Sequence, residues 1–482
     1  MSRVKESAWG WIDENREHII ELSDKVWKYA ELGLVEEKSM RLLSGELEKQ
    51  GFSVERGVAG MPTAFVATWS NGKGPTIGLM GEYDALPGLS NKKVPRKEAL
   101  RGGAPGHGCG HNIHGVTAVS AAIATRQAMK EGKIKGTIKM YGCPAEESYD
   151  GKVFMVRAGL FKGADACLSH HPGSLNTAGL SSSTAINSVK FHYYGKTSHA
   201  AGSPEQGRSA LDAVELMNVG VNFLREHVID KARIHYVIEE GGGQPNVVPD
   251  YARSWYYIRA PERDQVDHIY TRILKVAEGA AMMTETTLKV EFLTGVYNLL
   301  PSKVLSRVVV ANMREIGAPT YTAEDLAFAA EIAKSFPKEQ KIDNFRKSKL
   351  PNWEKYVDVD MVTDILDPWN EGEVSGGSTD VSDVSWQTPT MEFGTATYVL
   401  GAPGHSWQTV TCSGTSLGHK SLIFASKTMT GATLDLFTKP ELLAEAREEH
   451  AKKLLGRTYR CAIPDEIGPP LEVAKAQAAR QG

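Results

Sequence analysis

Apolar and polar positions alternate along the first part of the chain in a way that predicts helices and strands in turn. Helical spacing covers residues 12–29 and 38–50, and the Ala-rich segment 116–129 has the same character. Short apolar runs at 76–80 and 136–141 lie between these segments and predict buried strands. The alternation predicts an α/β domain, with helices on the faces of a sheet.

A different pattern begins near residue 188. Strand-like segments at 189–193, 233–238, 254–259 and 287–292 are interleaved with helical segments at 209–227 and 265–283. The order β-α-β-β-α-β predicts a ferredoxin-like unit of four antiparallel strands and two helices. We therefore predict that an α/β domain formed by residues 1–186 and 301–482 is interrupted by a second domain at 187–300. Residues 320–375 are charged and weakly periodic, and the sequence assigns them no role.

The amino-acid composition limits which binding partners and which cellular compartment we expect. The chain has 482 residues, enough for two domains, and a net charge of -3 from 55 basic and 58 acidic residues that are well mixed. Without a basic block, nucleic acid is not an expected partner. The sequence contains no apolar run of about 18 residues and no signal-peptide core, so we expect no membrane association. Five cysteines without a pattern favour a reducing compartment, and we predict the cytoplasm.

Residues 106–114 hold the densest group of candidate metal ligands. They include one thiol and three imidazoles between glycines. Cys109 and His111 are two residues apart in a turn that glycine allows to fold tightly, so both could be aimed at one point. Thiolate and imidazole are typical zinc ligands. We interpret this turn as half of a metal site, although each residue alone could equally be a buried thiol or a surface histidine.

Other candidates lie at the ends of predicted strands. Glu82 and Asp84 follow the run at 76–80, and Glu146–Glu147 follow the strand at 136–141. His170–His171 and His405 also lie near strand ends. Adjacent residues on an extended segment point in opposite directions, so one glutamate could bind a metal while the other faces the reacting water. Placement at one sheet edge predicts a shared site.

Ordered motifs run along nearly the whole chain. They are Gly81–Leu86, Gly106–Asn112, Glu146–Glu147, Ala201–Asp212, Asn246–Pro249, Ile258–Pro261, Ser378–Trp386 and Gly404–Trp407. In these motifs the chain resembles the aminoacylase and carboxypeptidase-G type of di-metal amidohydrolases. The resemblance implies a catalytic α/β domain interrupted by a ferredoxin-like lid that carries a dimer interface. That organisation agrees with the predicted order of elements.

The resemblance also implies a set of metal ligands. Cys109 is implied as the bridge between two metals, with the ligand pairs Glu147 and His405 on one metal and His111 and His171 on the other. His171 is preferred to His170 because it directly precedes Pro172, as in the family pattern. Glu82 and Asp84 are implied as supporting groups behind the ligands. Zinc is the expected metal because thiolate favours it, with manganese or cobalt as alternatives.

The same resemblance implies roles in catalysis and substrate binding. Glu146 would act as the general base toward metal-activated water and then protonate the leaving amine. His199 and Asn246 match positions that reach the oxyanion across a dimer, and Arg259 matches a position that holds the substrate carboxylate. The implied substrate is an N-acyl amino acid. The nearest named example is p-aminobenzoyl-glutamate, and indole-acyl, aminoacylase-type and dipeptide-like amides are alternatives.

The implied assembly is a homodimer or a heteromer with an A-type subunit. Two other hypotheses for the chemistry remain open at this point. The chain could be a non-catalytic subunit that metal stabilises, although a free Glu146 argues against that. Alternatively, Cys109 could be a covalent nucleophile paired with His111, in which case activity would survive removal of metal and be abolished by a thiol alkylator.

Overall fold

The computed structural model describes residues 3–480, so the outermost residues of the predicted first and last segments, 1–2 and 481–482, lie outside it. The strands are β1 (Ser53–Arg56), β2 (Phe65–Ser70), β3 (Thr76–Glu82), β4 (Thr137–Cys143), β5 (Ala166–Gly173), β6 (Ala185–Tyr194), β7 (Arg233–Glu240), β8 (Tyr251–Ala260), β9 (Thr287–Val296) and β10 (Thr390–Ala396). The α-helices in the first part of the chain are α1 (Arg3–Glu14), α2 (Arg16–Tyr29), α3 (Glu37–Lys49), α4 (His111–Glu131), α5 (Glu146–Tyr149), α6 (Gly151–Arg157), α7 (Ala210–Leu224) and α8 (Arg263–Thr284). Those that follow are α9 (Lys303–Ile316), α10 (Ala323–Ala333), α11 (Lys338–Ser348), α12 (Val381–Ser385), α13 (Trp407–Ser413), α14 (Ser416–Thr438), α15 (Pro440–Leu454) and α16 (Leu471–Ala479).

The larger sheet is mixed and mostly parallel. Its strand order is β1-β2-β4-β3-β5-β10. The four strands β4, β3, β5 and β10 run parallel, and β1 and β2 are added antiparallel at one edge. Apolar residues of these strands pack against α4 and α14, which are buried along most of their length. The α/β class predicted from the alternating pattern is confirmed.

The second sheet is antiparallel throughout, with the order β7-β8-β6-β9. Together with α7 and α8 it gives the order β-α-β-β-α-β, so the ferredoxin-like arrangement predicted from the sequence is present. Its own apolar core lies between the sheet and these two helices. This unit spans residues 185–296, in sequence between strands β5 and β10 of the larger sheet.

Two segments differ from the sequence-based expectation. The helix predicted at 12–29 is two helices, α1 and α2, that meet at Asn15, where the side-chain amide and the backbone N–H both donate to the Trp11 carbonyl. The weakly periodic residues 320–375 contain α10 and α11 and form two small apolar clusters beside the loop after β10. Within residues 3–480, none of the helices is long and apolar enough to cross a bilayer.

Candidate metal and catalytic site

The candidate site lies at the carboxyl ends of the parallel strands. Glu82 is the last residue of β3, His171 is near the end of β5, and Glu146 follows β4. His405 lies in the loop after β10. Because parallel strands end at the same edge, residues far apart in sequence come together here, as expected for an open α/β sheet.

A glycine shapes the turn that carries Cys109. Gly110 has φ of 72°, a left-handed conformation that suits glycine, and a Cβ there would collide with the hydroxyl of Tyr398. The turn ends at once in a helix, because His111 is the first residue of α4. The sequence predicted helix only from residue 116, so the histidine is held more rigidly than a loop residue would be. Cys109 and His111 are both directed toward the end of β5.

The two glutamates are placed by a one-turn helix. The prediction that Glu146 and Glu147 lie on an extended segment is wrong: they begin α5, after Ala145 turns the chain with φ of 61°. The two side chains still separate, because successive helical residues point about 100° apart. Glu147 belongs to a group with Cys109 and His405, whereas Glu146 belongs to one with Glu82 and His111.

Two groups of possible metal ligands share the thiol of Cys109. In each group the ligand atoms lie within 4.8 Å of one another; the groups are Cys109, His111 and His171, and Cys109, Glu147 and His405. The Cys109 Sγ lies 3.2 Å from His171 Nε2, and His405 Nε2 lies 3.5 Å from a Glu147 oxygen. The structure thus brings together all five residues for which the resemblance implies ligation, with the thiol common to both groups.

Hydrogen bonds fix which nitrogen of each histidine is free to bind a metal. His111 Nδ1 lies 2.8 Å from an oxygen of the Asp84 carboxylate, and His171 Nδ1 lies 2.9 Å from the Pro172 carbonyl. Both oxygens can only accept, so each ring carries a proton on Nδ1, and Nε2 is the nitrogen left for a metal. His170 points to the opposite face of β5, where its Nε2 bonds to the Thr395 hydroxyl at 2.7 Å.

Asp84 also fixes the position of Glu147. Its second oxygen accepts the backbone N–H of Glu147 at 2.9 Å, so a single carboxylate fixes both His111 and the start of α5. The Oε1 atom of Glu147 and the Nε2 atom of His111 are buried and make no well-aligned hydrogen bond within residues 3–480, although a Glu82 oxygen lies 3.2 Å from His111 Nε2. Buried polar atoms of this kind are normally satisfied, so their orphaned state, next to a thiol, fits cations between them.

A buried charge network that the sequence did not reveal lies behind these ligands. The Lys152 ammonium, with no exposed surface, lies 2.5 Å from Glu82 and 2.6 Å from Asp380. The other Glu82 oxygen lies 3.2 Å from His111 Nε2 and 3.3 Å from His114 Nε2. A lysine in a short helix gives no sequence signal of burial, and only the fold brings residue 380 to it.

His114 belongs to this network and not to the ligands. Its Nδ1 accepts the backbone N–H of Glu82 at 3.0 Å, so the proton of the neutral ring is on Nε2. Burial lowers the pKa of His114 to about 3, which keeps the ring neutral. Nε2 therefore donates toward Glu82 or toward Ser169, 3.1 Å away, and it cannot bind a metal at the same time.

Burial raises the pKa of both glutamates in α5. The pKa of Glu147 rises to about 7, and that of Glu146 rises well above its ordinary value, with Glu82 and Glu147 adding repulsion. Burial also raises the pKa of the Cys109 thiol, and Glu147 adds to the rise. So many acidic groups in one buried place repel one another, and positive charge would relieve that repulsion.

These residues line a cavity of about 670 Å³ that reaches the second sheet. Arg259, on β8, lines the cavity, and so does Asp150, which the sequence did not single out. His199 and Asn246 are exposed and lie near each other outside the cavity, with the Ala200 N–H donating to the Asn246 carbonyl. Their predicted role, reaching the oxyanion in another chain across a dimer, stays a prediction.

Comparisons with known proteins agree with this arrangement. A family model described as peptidase family M20/M25/M40 matches residues 78–410. The chain is 39% identical to the B subunit of p-aminobenzoyl-glutamate hydrolase from Escherichia coli, over 95% of this chain and 97% of that protein. It is 28% identical to the human Xaa-Arg dipeptidase, over 94% and 93% of the two chains.

Solved structures share the fold. An aminobenzoyl-glutamate utilization protein from Klebsiella pneumoniae matches with a TM-score of 0.56 at 18% identity, covering 86% of this chain and 97% of that one. A dinuclear metal-binding peptidase of the M20 family from Bacillus subtilis matches with a TM-score of 0.56 at 15% identity, covering 89% and 99%. The common architecture therefore extends over both sheets.

Proposed function

Because the chain belongs to peptidase family M20/M25/M40 and is a hydrolase of amide bonds, we propose that it cleaves N-acyl amino acids at a site built for two metals. The observation that carries this proposal is the pair of ligand groups sharing Cys109, with Glu146 beside them and Arg259 in the same cavity. We propose p-aminobenzoyl-glutamate, hydrolysed to p-aminobenzoate and glutamate, as the first substrate to test, since the E. coli relative is named for it.

The chemistry divides between the cations and the side chains. Two divalent ions, when bound, would lower the pKa of water and stabilise negative charge on the amide oxygen. The thiolate among the proposed ligands favours zinc, with manganese or cobalt as alternatives. Cys109, Glu147 and His405 would hold one ion, and Cys109, His111 and His171 the other.

Glu146 is the residue we propose for proton transfer. It lies beside Glu82 and His111, outside the two groups that share Cys109, so with both metals held by those groups its carboxylate would be left to accept a proton from the attacking water. The same carboxyl can then pass that proton to the nitrogen of the leaving amine. Arg259 would hold the carboxylate of the amino acid, because its planar guanidinium can donate two parallel hydrogen bonds.

The proposal predicts that a chelator abolishes hydrolysis and that zinc or manganese restores it. The measurement is release of p-aminobenzoate from p-aminobenzoyl-glutamate before chelation, after it, and after adding each metal. The alternative in which Cys109 is a covalent nucleophile predicts the reverse pattern. Full activity in the chelated protein, followed by complete loss on thiol alkylation, would refute the metal mechanism.

We also propose that the chain forms a homodimer through the unit at 185–296. Helix α7 exposes apolar side chains at Leu216, Val219 and Phe223, which lie on one face at helical spacing. The next strand along the chain, β7, is a sheet edge and exposes Val237 and Ile238. Exposed apolar patches and free edges of this kind commonly mark interfaces. Since the E. coli relative is the B subunit of its enzyme, a heteromer with an A-type chain is the second possibility.

Sedimentation of the purified chain tests the homodimer. We expect a dimer at micromolar concentration, and we expect Phe223→Asp to be monomeric because it puts a charge in the apolar face. Leu455→Asp is a matched control, since Leu455 is an exposed apolar residue directly after α15, outside the unit at 185–296. A parent protein that sediments as a monomer, or a Phe223→Asp variant that stays dimeric, would contradict the proposed interface.

We further propose that the protein works in the cytoplasm. All five cysteines are free in the structure, and three of them are buried. A reducing compartment preserves free thiols, including the one proposed to bind metal.

A further inference from the structure

The candidate active-site cavity contains two charged groups that lie apart from the proposed metal ligands and have no ion-pair partner. They are the guanidinium of Arg259 and the carboxylate of Asp150, and neither makes an ion pair with any residue between 3 and 480. Much of the wall around them is neutral and polar, with several serines. Both side chains are half-buried, and charges partly withdrawn from water are normally paired, so two of them without ion-pair partners in one cavity point to a ligand that offers an anionic group and a hydrogen-bond donor.

Asp150 is held in place by its backbone and by one hydrogen bond. It joins α5, which carries the two glutamates, to α6, and it has φ of 52°. A left-handed conformation at a non-glycine residue is uncommon, and such residues are found often at ligand sites. The Thr294 hydroxyl donates to Oδ2 at 2.6 Å, and among residues 3–480 no donor lies against Oδ1. The second oxygen is therefore available to a ligand in the cavity.

Arg259, on β8, is also held by one hydrogen bond. Its Nη1 donates to the Ser378 hydroxyl at 2.8 Å, and its guanidinium lies 5.5 Å from the ring centre of Tyr257. Burial lowers the pKa of Arg259, and the nearby charge of Asp150 opposes that change. Burial likewise raises the pKa of Asp150 to about 7, so a cation bound beside it would favour the ionised carboxylate. Both side chains line one cavity of about 670 Å³, which a single small molecule can occupy.

We propose that Asp150 is a specificity-determining residue that binds an amino or guanidino group of the substrate, while Arg259 binds the carboxylate. The inference rests on the proposed function, and it narrows the substrate class to N-acyl amino acids that also carry a nitrogen donor. That donor has two chemical sources. It could be an aromatic amine in the acyl group, as in p-aminobenzoyl-glutamate, or a basic side chain in the amino acid, as in an acyl-arginine.

Four substrates distinguish these sources. 4-Aminobenzoyl-glutamate is compared with benzoyl-glutamate, and benzoyl-arginine with benzoyl-norleucine, so that each pair differs by the nitrogen donor. A hydrogen bond to a charged group predicts that the parent enzyme prefers the donor-bearing member of one pair by about 10- to 100-fold in kcat/KM. The pair that shows the preference identifies where the donor lies.

Two variants of Asp150 then test the residue itself. Asp150→Ala removes the charge and the acceptor, and we expect it to lower the preference to about 2-fold or less. Asp150→Asn, which tolerates the left-handed backbone, removes only the charge. It should abolish a preference for arginine but keep part of a preference for the aromatic amine. Asp165→Asn, which removes a carboxylate outside the cavity, should leave the ratio as in the parent protein.

The outcomes distinguish a failure of the proposed N-acyl amino acid activity from a failure of the role assigned to Asp150. A parent enzyme that cleaves none of the four substrates refutes the proposed N-acyl amino acid activity, and this inference falls with it. A parent enzyme that cleaves them but prefers neither donor-bearing member refutes the role of Asp150 alone. The same conclusion follows if Asp150→Ala and Asp150→Asn both fold, bind metal like the parent protein and keep the parent preference.

Discussion

Glu146→Gln is expected to lower kcat by about 10²- to 10⁴-fold while the protein keeps its metal. The amide has nearly the shape of the carboxylate but cannot accept the proton of the attacking water. Glu146 lies outside the two ligand groups that share Cys109, so its substitution leaves both groups whole. The measurement is steady-state hydrolysis of p-aminobenzoyl-glutamate, with metal content determined on the same sample.

Glu147→Gln is the matched comparison for this variant. Glu147 is adjacent in the same one-turn helix but belongs to a ligand group, so we expect its loss to lower metal content as well as activity. The two neighbours should therefore separate chemistry from metal binding. If metal-loaded Glu146→Gln hydrolysed the substrate at the parent rate, the proton-transfer role would be wrong.

Lys152→Met is expected to destabilise the fold by about 3–5 kcal/mol. The Lys152 ammonium lies between the carboxylates of Glu82 and Asp380, and all three side chains are fully buried or nearly so. Methionine fills a similar volume but leaves both carboxylates without their cation in a place that water does not reach. The measurement is the free energy of unfolding in urea, with parent and variant proteins compared after removal of metal.

Lys341→Met provides the control for losing a buried lysine as such. The Lys341 ammonium is also buried, but it bonds to the Val359 carbonyl, and the nearest carboxylate, that of Asp360, is 3.9 Å away and partly exposed. Its loss leaves no buried carboxylate without a cation. We therefore expect a smaller decrease in the free energy of unfolding, of about 1–2 kcal/mol. Equal destabilisation of the two variants would contradict the account of Lys152 as the cation of a buried network.

The elements and many of the site residues could be predicted because their signals are local. The switch from helical spacing to alternating strands after residue 188 marked the ferredoxin-like unit, and its order is as predicted. Cys109 and His111 stood out because a thiol and an imidazole are unusual so close together between glycines. The resemblance then supplied the more distant ligand positions, which spacing alone could not have joined.

The remaining features depend on contacts that local pattern does not encode. Whether His170 or His171 faces the thiol depends on the pleat of β5, which points them to opposite sides. The helix at Glu146 depends on a left-handed Ala145, a conformation that alanine does not signal. Lys152 meets Asp380 across 228 residues, and nothing near either residue indicates that both are buried.

Titration of the chelated protein with zinc tests the central claim most directly. We expect p-aminobenzoyl-glutamate hydrolysis to return as zinc is added and to stop rising at two equivalents per chain, because the two ligand groups share only Cys109. Cys109→Ala should fail to recover activity under the same conditions. Full activity without zinc, or a titration that is complete at one equivalent, would contradict a dinuclear site bridged by this thiol.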